Sequence, residues 1–189
     1  MQEKIYLRPL CLSDINKKYL TWVNDPSVTE YLEIGKQSLK HNDLVKYIED
    51  APKNGRHNFA IITKNSKLHI GNGSIYSIVP EKSKFEIGYF IGEKFFWGGL
   101  YSSLVIFNLL KIGFMNMGLK KCVGYINETH IKARMTNKFS GYKEIKKINK
   151  VNRKNKKKIN VFEIEITKKN WLKNIEKLHK LHPGFFFMM

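Results

Sequence analysis

The sequence predicts an α/β protein with a mixed (α+β) sheet of about seven strands flanked by helices, plus a C-terminal helix. Three observations carry this. Seven short apolar or alternating windows read as strands and five longer windows carry helical periodicity. The order β-α-α-β-β-β-α-β-α-β-β-α places a meander in the middle and a helical crossover after it, which calls for locally parallel pairing. No repeat or linker divides the 189 residues. A single domain, 1–189, is therefore expected, with a core over 5–166 and an amphipathic tail over 168–189.

The first strand spans 4–7. Ser13 is the expected cap of a helix that buries Ile15, Tyr19, Trp22 and Val23, and Asn24-Asp25-Pro26 stops it. Ser38 starts a second helix with Leu44, Val45 and Ile48 on its apolar side, ending by Ala51-Pro52. Residues 57–63 form a strand and Asn65-Ser66 a turn. Residues 68–78 hold Gly71 and Gly73, so a bulged or bent strand is expected there. After the turn at 80–83, residues 85–91 send Phe85, Ile87, Tyr89 and Ile91 one way and Glu86, Gly88 and Phe90 the other. A glycine-containing loop leads into an apolar helix that runs to Met117 and closes at Gly118. A strand over 121–126 and a helix from Thr129 to Phe139 follow. Strands over 142–148 and 161–166 flank a basic stretch read as a solvated loop. The tail helix sets Trp171, Ile175 and Leu178 on one face and ends in His182-Pro183-Gly184 and the apolar FFFMM.

Composition narrows the function classes. Hydrophobic residues make up 42% and aromatics 13%, which excludes an intrinsically disordered chain. Two cysteines, Cys11 and Cys122, can build neither a disulfide framework nor a four-cysteine zinc site, and no metal centre is expected. The start MQEKIYLRPL lacks the apolar run of a secretory leader, and 100–117 is too interrupted to span a bilayer. A cytoplasmic location and no transmembrane segment are expected. The net charge is +18. Nine of the Lys and Arg residues lie in 143–158 beside one acid, Glu144. With no aromatic residue inside that run, stable nucleic-acid binding is not expected.

The segment EIGYFIGEKFFWGGLYSSL is the most informative. A strand enters a glycine-containing turn that opens a helix, and the free amides and dipole of a helix start attract an anion. It is neither a Walker loop nor a GxGxxG fingerprint.

Together with IYLRPLCLSDINKKYLTWVNDPSVTEYL and HIKARMTNKFSGYKE, this segment resembles the GNAT acyltransferases, in the branch of ribosomal-protein (Rim-type) and aminosugar N-acetyltransferases. The resemblance covers residues 5–166. It implies a GNAT-like splayed central sheet with acetyl-CoA, the acyl donor, in the cleft. It implies cofactor binding by Tyr89, Phe90 and Ile91 through the strand backbone, and by Trp97, Gly98, Gly99, Leu100, Tyr101, Ser102 and Ser103 around the pyrophosphate. It further implies direct attack of an amine on the thioester. Three positions depart from the pattern: Leu100 stands at the second glycine of the turn, His130 where Asn often starts the last core helix, and Asn137 where a Tyr often serves as general acid.

Glu86 is the candidate base, set on the strand beside the expected acetyl group. His130 is the second catalytic candidate. Trp22, Tyr31, Phe95, Phe96 and Trp97 read as core and cleft wall. Resemblance to enzymes of surface-polysaccharide synthesis implies an acceptor amine on a nucleotide-linked sugar, and a basic cleft rim would suit its diphosphate. The alternatives are a protein N-terminus, an antibiotic amine, or a degenerate fold that binds nucleic acid without catalysis. The FFFMM tail would dock on the domain or seal a homodimer.

Overall fold

In a computed structural model the protein is described at residues 3–32, 38–98, 100–151 and 158–181. Gly99, residues 152–157 of the basic stretch, and the tail residues 182–189, including His182-Pro183-Gly184 and FFFMM, lie outside the described residues.

The elements are β1 (Ile5–Pro9), α1 (Lys17–Asn24), α2 (Pro26–Thr29), α3 (His41–Glu49), β2 (His57–Thr63), β3 (His69–Val79), β4 (Lys84–Ile91), α4 (Tyr101–Lys111), β5 (Lys121–Asn127), α5 (Ile131–Phe139), β6 (Lys143–Val151), β7 (Lys158–Thr167) and α6 (Lys168–Leu181). They form a seven-stranded sheet in the order β1-β2-β3-β4-β5-β7-β6. Among the described residues only β4 and β5 pair in parallel, as the helical crossover through α4 requires, and they do so over three positions, Lys84–Lys121, Phe85–Cys122 and Glu86–Val123. Beyond Glu86 the two strands part, and the sheet is a V.

Each face of the sheet has its own core. On one face α4 is apolar all round, and Leu104, Val105, Ile106, Phe107, Leu109 and Leu110 have no exposed surface. It packs on β1, β3 and β4, and Trp171 of α6 meets Phe114 at 5.5 Å between ring centroids. On the other face Tyr19, Trp22 and Val23 of α1 and Leu44 of α3 pack with Ala60 and Ile62 of β2 and with Phe90 of β4. The alternation expected along 85–91 holds: Phe85, Ile87, Tyr89 and Ile91 join the α4 face and Phe90 the α1 face.

Three helix starts differ from the sequence expectation. Ser13 lies in a short 3₁₀ turn (Leu12–Asp14) rather than capping α1. Asp14 is taken by Arg8, whose two guanidinium nitrogens reach it at 2.7 and 2.5 Å, and by the Cys11 amide at 2.9 Å. The cap of α1 falls to Asn16, whose Oδ1 accepts the Tyr19 amide at 3.0 Å. The α3 helix opens at His41, not Ser38, where Asp43 accepts the Lys40 amide at 2.7 Å. Thr129 turns its hydroxyl and amide to Asn127 Oδ1, so α5 starts after His130.

The bend in β3 comes with two register shifts, one opposite Ile61–Ile62 and one between Tyr76 and Val79, where Ser77 takes a φ of +50°. The glycines alone do not make it. The strand expected at 142–148 is β6, which runs on into the basic stretch as far as Val151 and is an edge strand with Lys143, Lys146 and Lys147 exposed. Its ladder needs only backbone groups, and lysines on an edge deter further strand addition. Part of its charge is locally matched, by Lys147–Glu128 at 2.6 Å and Lys146–Glu163 at 3.5 Å. Among the described residues no helix is long and apolar enough to cross a membrane.

The Arg8–Asp14 pair ties β1 to the turn before α1. Burial alone would push the Asp14 carboxyl up, but the Arg8 guanidinium and the Cys11 amide outweigh it and hold the group at about 2. Asp14→Asn is expected to lower stability by about 1–3 kcal/mol in urea titration at pH 7. The folded-state value lies below the unfolded one, so this contribution is full above about pH 4 and fades as pH falls towards 2. A wild-type and variant difference that stays constant from pH 6 to pH 2 would refute the pairing as its source.

Candidate functional site

Backbone groups on a strand alternate between its two edges. The Gly92 amide donates to Ile70 of β3 at 2.8 Å, so Phe90, Gly88 and Glu86 also turn their backbone groups to β3. Ile87, Tyr89 and Ile91 therefore face the other edge, where β5 has already parted. The Tyr89 amide and carbonyl and the Ile91 amide are left without a strand partner. An amide-containing chain laid in the V can extend the sheet there. Phe90 differs from the sequence expectation: its backbone serves β3 and its ring lies 6.4 Å from Tyr19 and 6.5 Å from Trp22.

The same edge leads to the start of α4. The first helical bond runs from Leu104 to the Leu100 carbonyl at 2.9 Å, so the amides of Tyr101, Ser102 and Ser103 have no intrahelical acceptor. Gly98 has a φ of +80°, and a Cβ built there would meet nothing within 4 Å. The open space, the free amides and the positive end of the dipole fit a pyrophosphate. Leu100, at the departure from the glycine pattern, is the helix cap at an ordinary φ of −95°, so no glycine is needed there.

Two residues expected in this cradle are committed elsewhere. The Trp97 amide donates to the Lys94 carbonyl at 3.0 Å, and its indole Nε1 donates to the Ile91 carbonyl at 2.6 Å. Trp97 folds the loop back on β4 rather than offering its amide. The Tyr101 hydroxyl accepts the Glu3 amide at 3.0 Å, so its ring is an anchor. Tyr89 points under α4, where its hydroxyl meets Ser102 and burial raises its pKa. Phe95 is 89% exposed and is neither core nor wall, whereas Phe96 and Trp22 are core.

The W-x-NDP segment has a structural purpose. Trp22 Nε1 donates to Glu93 at 2.9 Å, Lys18 pairs with Glu93 at 3.1 Å, and Lys94 pairs with Asp25 at 2.7 Å. The indole presses on Gly92 so closely that a Cβ there would overlap it. The α1–α2 corner thus clamps Gly92, Glu93 and Lys94, the residues that aim the loop from β4 to α4.

Glu86 lies on the α1 face of β4, half-buried, at the last position before the strands part. Among the described residues it enters no ion pair and no side-chain hydrogen bond. Opposite it on β3 stands Tyr76, whose ring covers Gly88. His130, at the start of α5, stacks on Tyr31 with centroids 3.9 Å apart and planes 19° apart. That contact joins the end of the α1–α2 layer to the β5 side. Burial lowers the His130 pKa below the usual 6.5, so the ring is neutral at pH 7. Asn137, in place of a Tyr, donates to the Ala133 carbonyl of its own helix at 2.9 Å.

Sequence reading missed the polar group beside Glu86. Tyr47, Asn58, Ser74, Tyr76 and Arg56 come from α3, the loop after it, β2 and β3. Tyr47 and Ser74 both reach Asn58 Oδ1, at 3.1 and 2.9 Å. The signal was available in part: Asn58 and Ser74 are polar at positions of the α1 face within apolar strands.

No curated protein matches the sequence. Solved structures share the fold. The spermidine N-acetyltransferase of Vibrio cholerae, in complex with CoA and spermine, is 18% identical with a TM-score of 0.79 over 89% of this chain and 98% of that one. A GNAT-family acetyltransferase from Bacillus anthracis is 15% identical with a TM-score of 0.75 over 89% and 98%. A domain from Methanocaldococcus jannaschii is 22% identical with a TM-score of 0.68 over 88% and 99%. The family model described as the acetyltransferase (GNAT) domain matches residues 4–143. With that match over most of the chain, and with a cleft formed where β4 leaves β5, the protein belongs to the GNAT acetyltransferases, the family that uses acetyl-CoA as acyl donor.

Proposed function

We propose that this N-acetyltransferase acts on the primary amine of a nucleotide-linked aminosugar. The observation that carries the reaction is one juxtaposition. The unpaired β4 edge runs to the free amides of α4, and Glu86 sits unpaired where that edge begins. Acetyl-CoA supplies a thioester in this cleft. The backbone of Tyr89 and Ile91 holds the pantetheine arm, and the amides of Tyr101, Ser102 and Ser103, with Gly98, hold the pyrophosphate. Glu86 takes the proton of the acceptor ammonium, directly or through one water, so that the nitrogen lone pair is free to attack. The C–N bond forms, the C–S bond breaks, and the thiolate is protonated. His130, neutral and stacked on Tyr31, serves as wall of the acceptor side.

The charge of +18 supports an anionic acceptor over a polycation. A polyamine acceptor is the second reading, favoured by the fold shared with the Vibrio cholerae spermidine enzyme. Rates with a nucleotide aminosugar, spermidine, an N-terminal peptide and an aminoglycoside decide between them. The nucleotide aminosugar is expected to have the highest kcat/KM, and a higher value for spermidine would establish the second reading.

Acetyl-CoA at 100 times its Kd is expected to stabilise the fold by about 2.7 kcal/mol, a clear shift in a thermal melt. Gly98→Val is expected to weaken CoA binding without unfolding the protein, because the backbone sits at positive φ and its open side faces the pyrophosphate. Equal CoA affinity in the variant would place the pyrophosphate elsewhere.

Glu86→Gln keeps size and polarity but cannot accept a proton. Its kcat is expected to fall by about 10²–10⁴-fold with the acetyl-CoA KM little changed. Raising the pH is expected to restore part of the rate, because more acceptor amine is already neutral. His130→Ala is expected to cost less in kcat. A larger loss there than in Glu86→Gln would exchange the two roles.

A further inference from the structure

Arg56 follows α3 and stands just before β2. It is half-buried, and its guanidinium lies 4.3 Å from the Tyr76 ring centroid and 5.9 Å from that of Tyr47. Among the described residues no carboxylate pairs with it. A guanidinium stacked on rings uses its faces and keeps its five N–H groups at the rim, in the plane that suits a phosphate or carboxylate. The groups around it are rich in donors. Asn58 Nδ2 is buried with no partner, and the Tyr47 and Ser74 hydroxyls already converge on Asn58 Oδ1. A partly buried cation with no acidic partner among the described residues leaves a need for negative charge.

The position of this cluster sets its use. Tyr76 pairs directly with Glu86 across β3 and β4, and its ring covers Gly88. Arg56 is therefore one tyrosine ring away from the strand that carries the candidate base, on the same face of the sheet.

We infer that Arg56, stacked on Tyr76 and Tyr47, is an anion-recognising subsite for the acceptor, which carries a phosphate or carboxylate group besides its amine. The inference rests on the reading of the Glu86 side as the acceptor side. The guanidinium holds the anionic group by its N–H edge, and Tyr76 separates that group from the amine at Glu86. A free polyamine has nothing to offer this subsite and meets a fixed positive charge there.

The test uses the full chain saturated with CoA, so that the pyrophosphate cradle is filled. UDP and glutarate are titrated separately by calorimetry into the wild type and into Arg56→Gln. One of the two probes is expected to bind the wild type, with affinity at least ten-fold weaker in Arg56→Gln and CoA affinity unchanged. Binding of UDP identifies a phosphate source and binding of glutarate a carboxylate source. Arg56→Lys, which keeps the charge but loses the planar fork, is expected to fall between the two and serves if Arg56→Gln no longer binds CoA. Failure of both probes to bind the wild type, or equal binding to wild type and variants, overturns the proposal. Its failure is distinct from failure of the Glu86 reading on which it rests, which shows instead as wild-type kcat in Glu86→Gln.

Discussion

The parallel pairing of β4 with β5 stops after three positions, and the rest of the site depends on that stop. Backbone N–H and C=O groups in a sheet interior require partners. Where β5 leaves, β4 keeps half of its polar groups with no strand to satisfy them. A ligand that carries its own amides can take the place of the missing strand. The helix that returns the chain to β5 starts at the end of this gap, so its unmatched amides face the same opening. Strand edge and helix start are two consequences of one crossover.

Keeping such a gap open requires that the surrounding residues be held firmly. On one side α4 is a largely buried, mostly apolar helix against β1, β3 and β4. On the other, α1 is pinned to the exit of β4 by the Trp22–Glu93 hydrogen bond and by the Lys94–Asp25 pair. The second pair is partly exposed and contributes little by itself. The buried indole against Gly92 contributes more, because a close-packed ring leaves the loop one position to occupy. The Tyr31–His130 stack adds a contact between the α1–α2 layer and the β5 side.

Electrostatics divides the surface by function. Four lysines lie on β6, an exposed edge strand, and two of them are matched by Glu128 and Glu163. That charge protects an edge and raises the attraction of anions in general. Arg56 is different in kind: it is partly enclosed, oriented by two rings and unmatched by acid among the described residues. A long-range field can attract a ligand, but only a fixed group can orient it.

The sequence by itself determined most strands and the character of each helix face. The β2 strand begins and ends where its apolar run does, and the alternation of 85–91 places Glu86 and Phe85 on opposite faces because side chains on a strand have period two. The glycine-containing loop before an apolar helix marked the candidate anion site, since the first amides of a helix lack intrahelical acceptors. Helix starts were less legible. Ser13, Ser38 and Thr129 are good caps by type, yet Asn16 caps α1 while Asp14 is drawn to Arg8, and Thr129 is drawn to Asn127. The choice among nearby polar groups is made by partners that only folding brings close. The same holds for the end of β6, where ladder bonds with β7 carry the strand past Ile148 into a stretch whose composition reads as loop. It holds most for the proposed acceptor side. Arg56, Asn58, Ser74, Tyr76 and Glu86 become neighbours through the register of β2 on β3 and β3 on β4. Register depends on which faces are buried across the whole sheet, and no local window of sequence contains that information.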